Sequence, residues 1–409
     1  MAEREFDIIV WGASGFTGQL VAEYLAATYG VDGDLRWAMA GRNEAKLKDV
    51  LRTVAPGAKD SLPLVIADSA DRASLDAMVA RANVICTTVG PYAKYGTPLV
   101  EACIEAGTDY CDLTGEVQWM ARIIPEYQAA AEDSGARIVH TCGFDSVPFD
   151  MGAWHLQQLM HEKHGVYAKH IKGRVVGSRG GASGGTIASM LNMMDEAKSD
   201  SGLMKRVADP YVLYPEGVAT GPDKPDQRGA VYDETFGQWT SPFIMAAINT
   251  RVVRRTNALL GLPWGQDFRY DEAILNRSRT QASLVSMGMG AGMLTMALGP
   301  TRKLAQRFLP QPGEGPDAGT RESGYYELLF HGIHPSDPGC DMRLRVYGDM
   351  DPGYGSTSRM LGEAAACLAV DKAITGGGFW TPASALGQAY LQRLQDSAGL
   401  TFEPVAIPG

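Results

Sequence analysis

The chain reads as an α/β protein: an N-terminal Rossmann domain on a doubly wound parallel sheet, then an α+β domain built on an antiparallel sheet. Three observations lead there. The apolar run Ile8-Ile9-Val10 turns directly into a glycine loop, with Gly12, Gly15 and Gly18 at three-residue spacing. Strand-like and helix-like stretches then alternate to about residue 145, the pattern of right-handed βαβ units. Beyond that point period-two runs such as Lys172 to Ser178 take over, which suits half-exposed strands.

The first strand is apolar enough to be buried on both faces, and a helix from Thr17 to about Tyr29 follows it. Between them the backbone must turn tightly and approach a pyrophosphate closely, which residues without side chains permit. Gly12, Ser14, Gly15, Phe16, Thr17 and Gly18 are therefore the expected phosphate loop of a dinucleotide site. The second strand, from Leu35, ends in Ala40-Gly41-Arg42. An acid at that place would suit the ribose 2′-hydroxyl of NAD, whereas Arg42, helped by Lys46 four residues on, suits a 2′-phosphate. The cofactor expected is NADP(H).

Leu62 to Ala67 forms the next strand, with Asp68 at its end on the adenine side, and Ser69 to Ala82 the next helix. Asn83 to Val89 is a strand broken by Gly90-Pro91, which places Thr88, Gly90, Pro91 and Tyr92 toward the nicotinamide. A helix opened by Pro98 is expected from Thr97 to Ala106. Strand Thr108 to Leu113, helix Glu116 to Ser134 and strand Arg137 to Cys142 close the series. In the second part a helix opens at Ser183-Gly184-Gly185-Thr186, whose backbone donors suit a phosphate or carboxylate. Tyr325 to Phe330 and Cys340 to Tyr347 form a hairpin across a Pro/Gly-rich turn, and helices occupy Gly353 onward and Pro382 to about Leu394. The stretch Asp209 to Arg228, with Pro210, Pro215, Pro222 and Pro225, reads as a mobile loop or lid.

The segments GASGFTG, AGR, TTVGPYAKYGTPLVEACIEAGTDYCDLTGE and CGFDSVPFDMG, in that order, resemble the NADP-binding domain of the saccharopine dehydrogenase-like oxidoreductases. The resemblance is strongest to the branch that holds the trans-acting enoyl reductases of polyketide lipid synthesis. LPQPGEGPDAGTRESGYY (Leu309 to Tyr326) and GGGFWTPAS (Gly376 to Ser384) resemble the same branch, while residues 199–269 resemble nothing by eye. The resemblance implies that the C-terminal helices pack back on the nucleotide domain. The division expected is thus 1–145, 146–352 and 353–409.

A net charge of −10 argues against nucleic acid as a partner and against a broadly basic membrane-binding face. Six cysteines without a C-x-x-C pair indicate neither a zinc ribbon nor a disulfide framework, and His161 and His164 lack the companions of a metal site. No basic segment followed by an apolar core opens the chain, so a cytoplasmic protein is expected. Thr280 to Thr301 carries no charge over 22 residues and is followed by Arg302, Lys303 and Arg307. It suits a buried or subunit-interface helix, as in a homodimer, or a lipid-facing helix at a membrane surface; its length alone would also allow a membrane span, against which stand its four glycines and the closing Gly299-Pro300. Nine of the 18 methionines lie between Ile187 and Pro300, a composition suited to an apolar or acyl substrate.

No Tyr-x-x-x-Lys occurs, so the tyrosine–lysine relay of short-chain dehydrogenases is absent. The nicotinamide supplies the hydride chemistry; the protein must supply a proton and stabilise charge on the substrate. Candidates at strand ends are Tyr92 and Tyr95, then Asp112, Thr114 and Glu116, then Asp145 and Ser146. Tyr92 is the first choice as donor and Asp145 the second. Three functions stand open: an NADPH-dependent reductase of an activated C=C bond, an imine-forming amino-acid dehydrogenase, and a non-catalytic lipid-associated NADP-binding protein.

Overall fold

The computed structural model describes residues 4–56, 62–180, 184–297, 301–302, 314–371 and 375–407. The chain divides into two units: Met1–Val147 with Pro312–Gly315 and Gly353–Gly399, and Pro148–Gln311 with Pro316–Pro352 and Leu400–Gly409.

In the first unit β1 (Phe6–Trp11), β2 (Trp37–Gly41), β3 (Leu64–Ile66), β4 (Ala82–Thr87), β5 (Asp109–Asp112) and β6 (Arg137–Val139) form a parallel sheet. Helices α1 (Phe16–Tyr29), α2 (Glu44–Val54), α3 (Arg72–Val79), α4 (Tyr92–Ala106) and α5 (Val117–Ser134) connect them. The spatial order β6-β5-β4-β1-β2-β3 means that the chain winds outward from β1 in one direction and then from β4 in the other. The crevice at the carboxyl ends of β1 and β4 is the switch point where such folds bind ligands. The sequence predicts this alternation because apolar runs such as Ile8-Ile9-Val10 recur between helical stretches; β2, for example, is buried at all five positions.

The start of α4 differs from expectation. It begins at Tyr92, five residues before Thr97, and Pro98 lies in its interior. The reason is not local: the Glu116 carboxylate, from the loop after β5, accepts hydrogen bonds from the N–H groups of Tyr92 (2.8 Å) and Ala93 (2.9 Å). An anion at a helix N-terminus satisfies orphan donors and complements the dipole.

The second unit holds α6 (Val147–His164), which begins at the unit boundary, β7 (His170–Arg179), α7 (Gly184–Ser199), α8 (Leu203–Val207), β8 (Val231–Asp233), β9 (Gln238–Ser241), α9 (Ala246–Leu259), β10 (Arg269–Asn276), α10 (Arg279–Ala297), α11 (Ala318–Glu322), β11 (Tyr325–Ile333) and β12 (Met342–Gly348). The expected hairpin is β11 with β12, in register from Tyr326↔Gly348 to Gly332↔Met342. The sheet is antiparallel except where β7 and β10 run parallel, so it is mixed.

The rest of the chain returns to the first unit as α12 (Thr357–Val370), β13 (Gly378–Trp380) and α13 (Pro382–Asp396), before β14 (Leu400–Val405) joins the edge of the second sheet beside β12. β13 is the seventh strand of the first sheet, beside β6. The two C-terminal helices lie in the first unit, whereas residues 400–409 belong to the second. The carboxylate of Glu363 on α12 is fully buried and accepts from Tyr24 (2.6 Å) and Tyr29 (2.7 Å) of α1, with Arg393 of α13 at 3.2 Å.

Residues 209–228 are held in place, not a free lid. Three buried arginines of α9 bind them: Arg254 donates to Asp223 at 2.5 Å, Arg255 to the Leu213 carbonyl at 2.6 Å, and Arg251 pairs with Asp226. Prolines and charges gave the segment a loop composition, but its charges answer cations buried in the second unit. α10 keeps only Ala282 and Met296 buried. Among the described residues no helix is long and apolar enough to cross a membrane.

Candidate active site

The β1–α1 turn is built as a phosphate cradle. Gly12 has φ +89°, and any side chain there would collide with Thr88 and Val89 after β4. A Cβ at Gly18 would overlap the Gly12 carbonyl, so the first turn of α1 approaches the loop as only glycine allows. Gly15 is the N-cap of α1 and no acid stands in the first turn. Phe16, Thr17 and Gly18 thus carry N–H groups that lack intrahelical acceptors and favour an anion. Ser14 lies beside the end of β2, its hydroxyl 3.4 Å from the place of a Cβ on Gly41. The Phe16 ring packs edge-on against Tyr354 at 4.7 Å and covers Gly315.

Arg42 and Lys46 are exposed beyond β2, and among the described residues no carboxylate pairs with either. Asn43 between them caps α2 by accepting from the Lys46 N–H at 3.0 Å. Two uncompensated cations beside the glycine cradle are the donor set that a ribose 2′-phosphate requires. Asp68 follows β3, and one carboxylate oxygen accepts from the Ala70 N–H at 3.0 Å. The Thr88 N–H donates to the Trp11 carbonyl at 3.0 Å, which holds Thr88, Gly90 and Pro91 next to the Gly12 turn. The structure therefore places the expected cofactor residues after the carboxyl ends of β1, β2, β3 and β4, and they fit NADP(H).

Tyr92 is placed otherwise than its position suggested. Its ring is buried, stacked on Trp119 at 5.6 Å, and its phenol donates to the Thr87 carbonyl at 3.2 Å. Burial and the charge of Asp112 hold that phenol well above the usual tyrosine range. Tyr92 supports the loop; it does not present a proton at the crevice. Tyr95 is exposed.

Asp112, at the end of β5, is fully buried and serves as a clamp. It accepts from the Tyr110 hydroxyl (2.9 Å) and from the N–H groups of Thr114 (3.0 Å) and Thr141 (3.1 Å), and lies 2.7 Å from His140 Nδ1. Thr141 has φ +63°, a conformation costly for a branched residue, and the clamp holds it.

Asp145 follows on the same loop. It is half-buried, with Oδ2 3.3 Å from the place of a Cβ on Gly115, and among the described residues no hydrogen bond reaches its carboxylate. Burial, then the nearby charge of Asp112, push its carboxyl up to about 7. The loop is braced by Thr357, at the start of α12, whose hydroxyl accepts from the Phe144 N–H at 3.0 Å.

Residues 8–139 match the saccharopine dehydrogenase NADP binding domain. Over 99% of its length the chain is 43% identical to a Mycobacterium tuberculosis protein assigned by name to the trans-acting enoyl reductases, covering 98% of that protein. The trans-acting enoyl reductase of Mycobacterium bovis is 38% identical over 96% of each chain. The chain belongs to the saccharopine dehydrogenase-like oxidoreductases, in the branch of the trans-acting enoyl reductases. It is an NADP-dependent oxidoreductase. The Saccharomyces cerevisiae saccharopine dehydrogenase shares this family fold, with a TM-score of 0.52 over 98% of this chain and 99% of that one, at 14% identity.

For this oxidoreductase, sequence reasoning missed Tyr354, Thr357 and Gly315 at the site. All three come from segments far from the glycine loop; the Gly353-Tyr354-Gly355-Ser356 turn ahead of a helix was the available signal. Ser183 lies outside the described residues, so the anion site expected at Ser183 to Thr186 gains nothing from the structure. His161 stacks on Tyr167 at 4.5 Å and His164 meets His334 edge-on at 5.7 Å.

Proposed function

We propose that this oxidoreductase reduces the activated C=C bond of an enoyl thioester on a lipid- or polyketide-like chain, with Asp145 as proton donor. One observation carries the assignment of the acid: a carboxyl raised to about 7, without a hydrogen-bond partner among the described residues, on the loop after β6. A group with that pKa is protonated in a useful fraction near neutrality. NADPH, when bound, supplies a hydride to the β-carbon, and the electron pair of the double bond moves onto the thioester as an enolate. The Asp145 carboxyl then delivers its proton to the α-carbon and is left as the carboxylate, to be refilled from solvent. Gly12, Ser14 and the first turn of α1 would hold the pyrophosphate. Arg42 and Lys46 would hold the 2′-phosphate, with Asp68 toward the adenosine and Thr88, Gly90 and Pro91 toward the nicotinamide.

The enoyl substrate is supported by relatives that carry the enoyl reductase name along nearly their whole length. The nine methionines of residues 187–300 fit an apolar chain less directly, since Met296 alone among them is buried.

The test is NADPH consumption with a short enoyl thioester, set against an imine formed in situ from an amino acid and an aldehyde. Turnover of the thioester, with saturated product recovered, is the expected result. Turnover of the imine alone would assign the protein to amino-acid dehydrogenation instead.

A further inference from the structure

We infer that α10 and the edge of the second sheet form a docking surface for an anionic lipid bilayer. From 273 to 313 the sequence contains Arg277, Arg279, Arg302, Lys303 and Arg307 and no acidic residue, in a chain whose net charge is −10. Between the two groups of cations lie 22 uncharged residues. The helix within that run turns most of its circumference to solvent: Leu284 is 61% exposed, Met287 66% and Leu294 61%. A solvent-facing helix normally carries charge on its outer face, and one apolar on nearly every side is normally covered. What covers α10 must accept a wide apolar arc and the two exposed cations at its start.

The charge at the start of the helix points the same way. Arg277 and Arg279 stand where the helix dipole favours anions, and no acid occupies the first turn. Both are exposed, and among the described residues neither pairs with a carboxylate; Arg279 lies over the Trp239 ring at 5.4 Å. At the other end Arg302 is paired with Asp195 at 2.6 Å. Beside α10, the edge strand β8 exposes Val231 and Tyr232, and the Tyr232 ring meets Trp239 at 5.6 Å. Aromatic rings next to arginines and an apolar helix are the components that seat a protein at the headgroup–acyl boundary. An anionic headgroup supplies the negative charge that the α10 N-terminus lacks.

Flotation of the full-length protein with vesicles decides the matter. It should rise with phosphatidylcholine vesicles that contain phosphatidylglycerol, rise far less with phosphatidylcholine alone, and release in high salt. Arg277→Gln and Arg279→Gln should each lower partition roughly fivefold. Leu284→Ser with Met287→Ser should lower it further, while NADPH affinity and the cooperative thermal unfolding of the full chain should not change in any variant, which reports that each is folded. Absence of flotation of the wild-type protein with either vesicle overturns the proposal without recourse to variants. So does a wild-type dimer that the α10 substitutions convert to monomer with lipid partition unaltered; the surface would then be an interface between copies.

Discussion

At the scale of single residues, function rests on which charges the fold leaves uncompensated. Arg42 has no carboxylate partner among the described residues and stands beside the glycine cradle, so its guanidinium is available to a ligand. Because only NADPH carries the 2′-phosphate, Arg42→Ala should weaken NADPH binding by about 10–150-fold, the worth of charge-assisted hydrogen bonds, and leave NADH binding nearly unaltered. Paired titrations at fixed salt measure this, and equal losses for both cofactors would remove the 2′-phosphate role. Asp145 makes the opposite demand, since it must be protonated to act as an acid. Its carboxyl is raised to about 7, so the active form is present below that pH and is lost as pH rises through it. The turnover number should therefore fall above about pH 7, and Asp145→Asn should lower it by about 100-fold or more and abolish that limb. A mutant that keeps both the rate and the limb would exclude Asp145. Tyr92→Phe separates the two former candidates: its phenol is committed to the Thr87 carbonyl, so the mutant should lose about 0.5–1.5 kcal/mol of stability with turnover nearly intact.

At the scale of elements, the structure shows what a local reading of the sequence can and cannot see. The β1–α1 turn was legible because its chemistry is local: Gly12 and Gly18 are required by backbone geometry within one turn. The parallel sheet was legible because short apolar runs such as Ile8-Ile9-Val10 alternate with helical stretches at regular intervals. The start of α4 was not, because its capping anion, Glu116, lies 24 residues beyond Tyr92 in the chain. For the same reason the direction of the Tyr92 side chain was hidden: Trp119, on α5, decides it. The strands β13 and β14 were missed since three to six residues beside glycine and proline carry little pattern of their own. Residues 209–228 were misread because the arginines that fix them sit on α9, in a region with no recognisable pattern. The Glu116 reading has a consequence. Glu116→Gln keeps the size of the side chain but replaces the anion facing two α4 N–H groups, so it should cost about 1–3 kcal/mol in a urea titration. A loss within error would mean that backbone packing alone sets the α4 start.

At the scale of the whole molecule, the first unit is not a contiguous stretch of chain. Its sheet needs β13, and α12 packs against β1, β4 and β5 with Met360, Leu361, Ala364, Ala365, Ala366 and Leu368 all buried. The cofactor site draws on the same returning segments: Tyr354 packs on Phe16, and Thr357 holds the loop that carries Asp145. The family match ends at residue 139, yet the unit that contains it does not. A fragment of residues 1–147 would therefore hold every glycine of the cradle together with Arg42 and Asp145, but would expose the sheet face that α12 covers. Apolar area of that kind contributes about 25 cal/mol for each Å² buried, so its exposure removes stabilisation comparable with that of a whole domain. The fragment should unfold non-cooperatively, bind a hydrophobic dye, and show no measurable NADPH binding where the full chain binds. Adding residues 353–399 through a flexible linker should restore both cooperative unfolding and cofactor affinity, because it returns α12, β13 and α13 to the sheet. If residues 1–147 alone unfold cooperatively and bind NADPH as the full chain does, the C-terminal return is dispensable, and the bracing of the cofactor loop by Tyr354 and Thr357 is incidental.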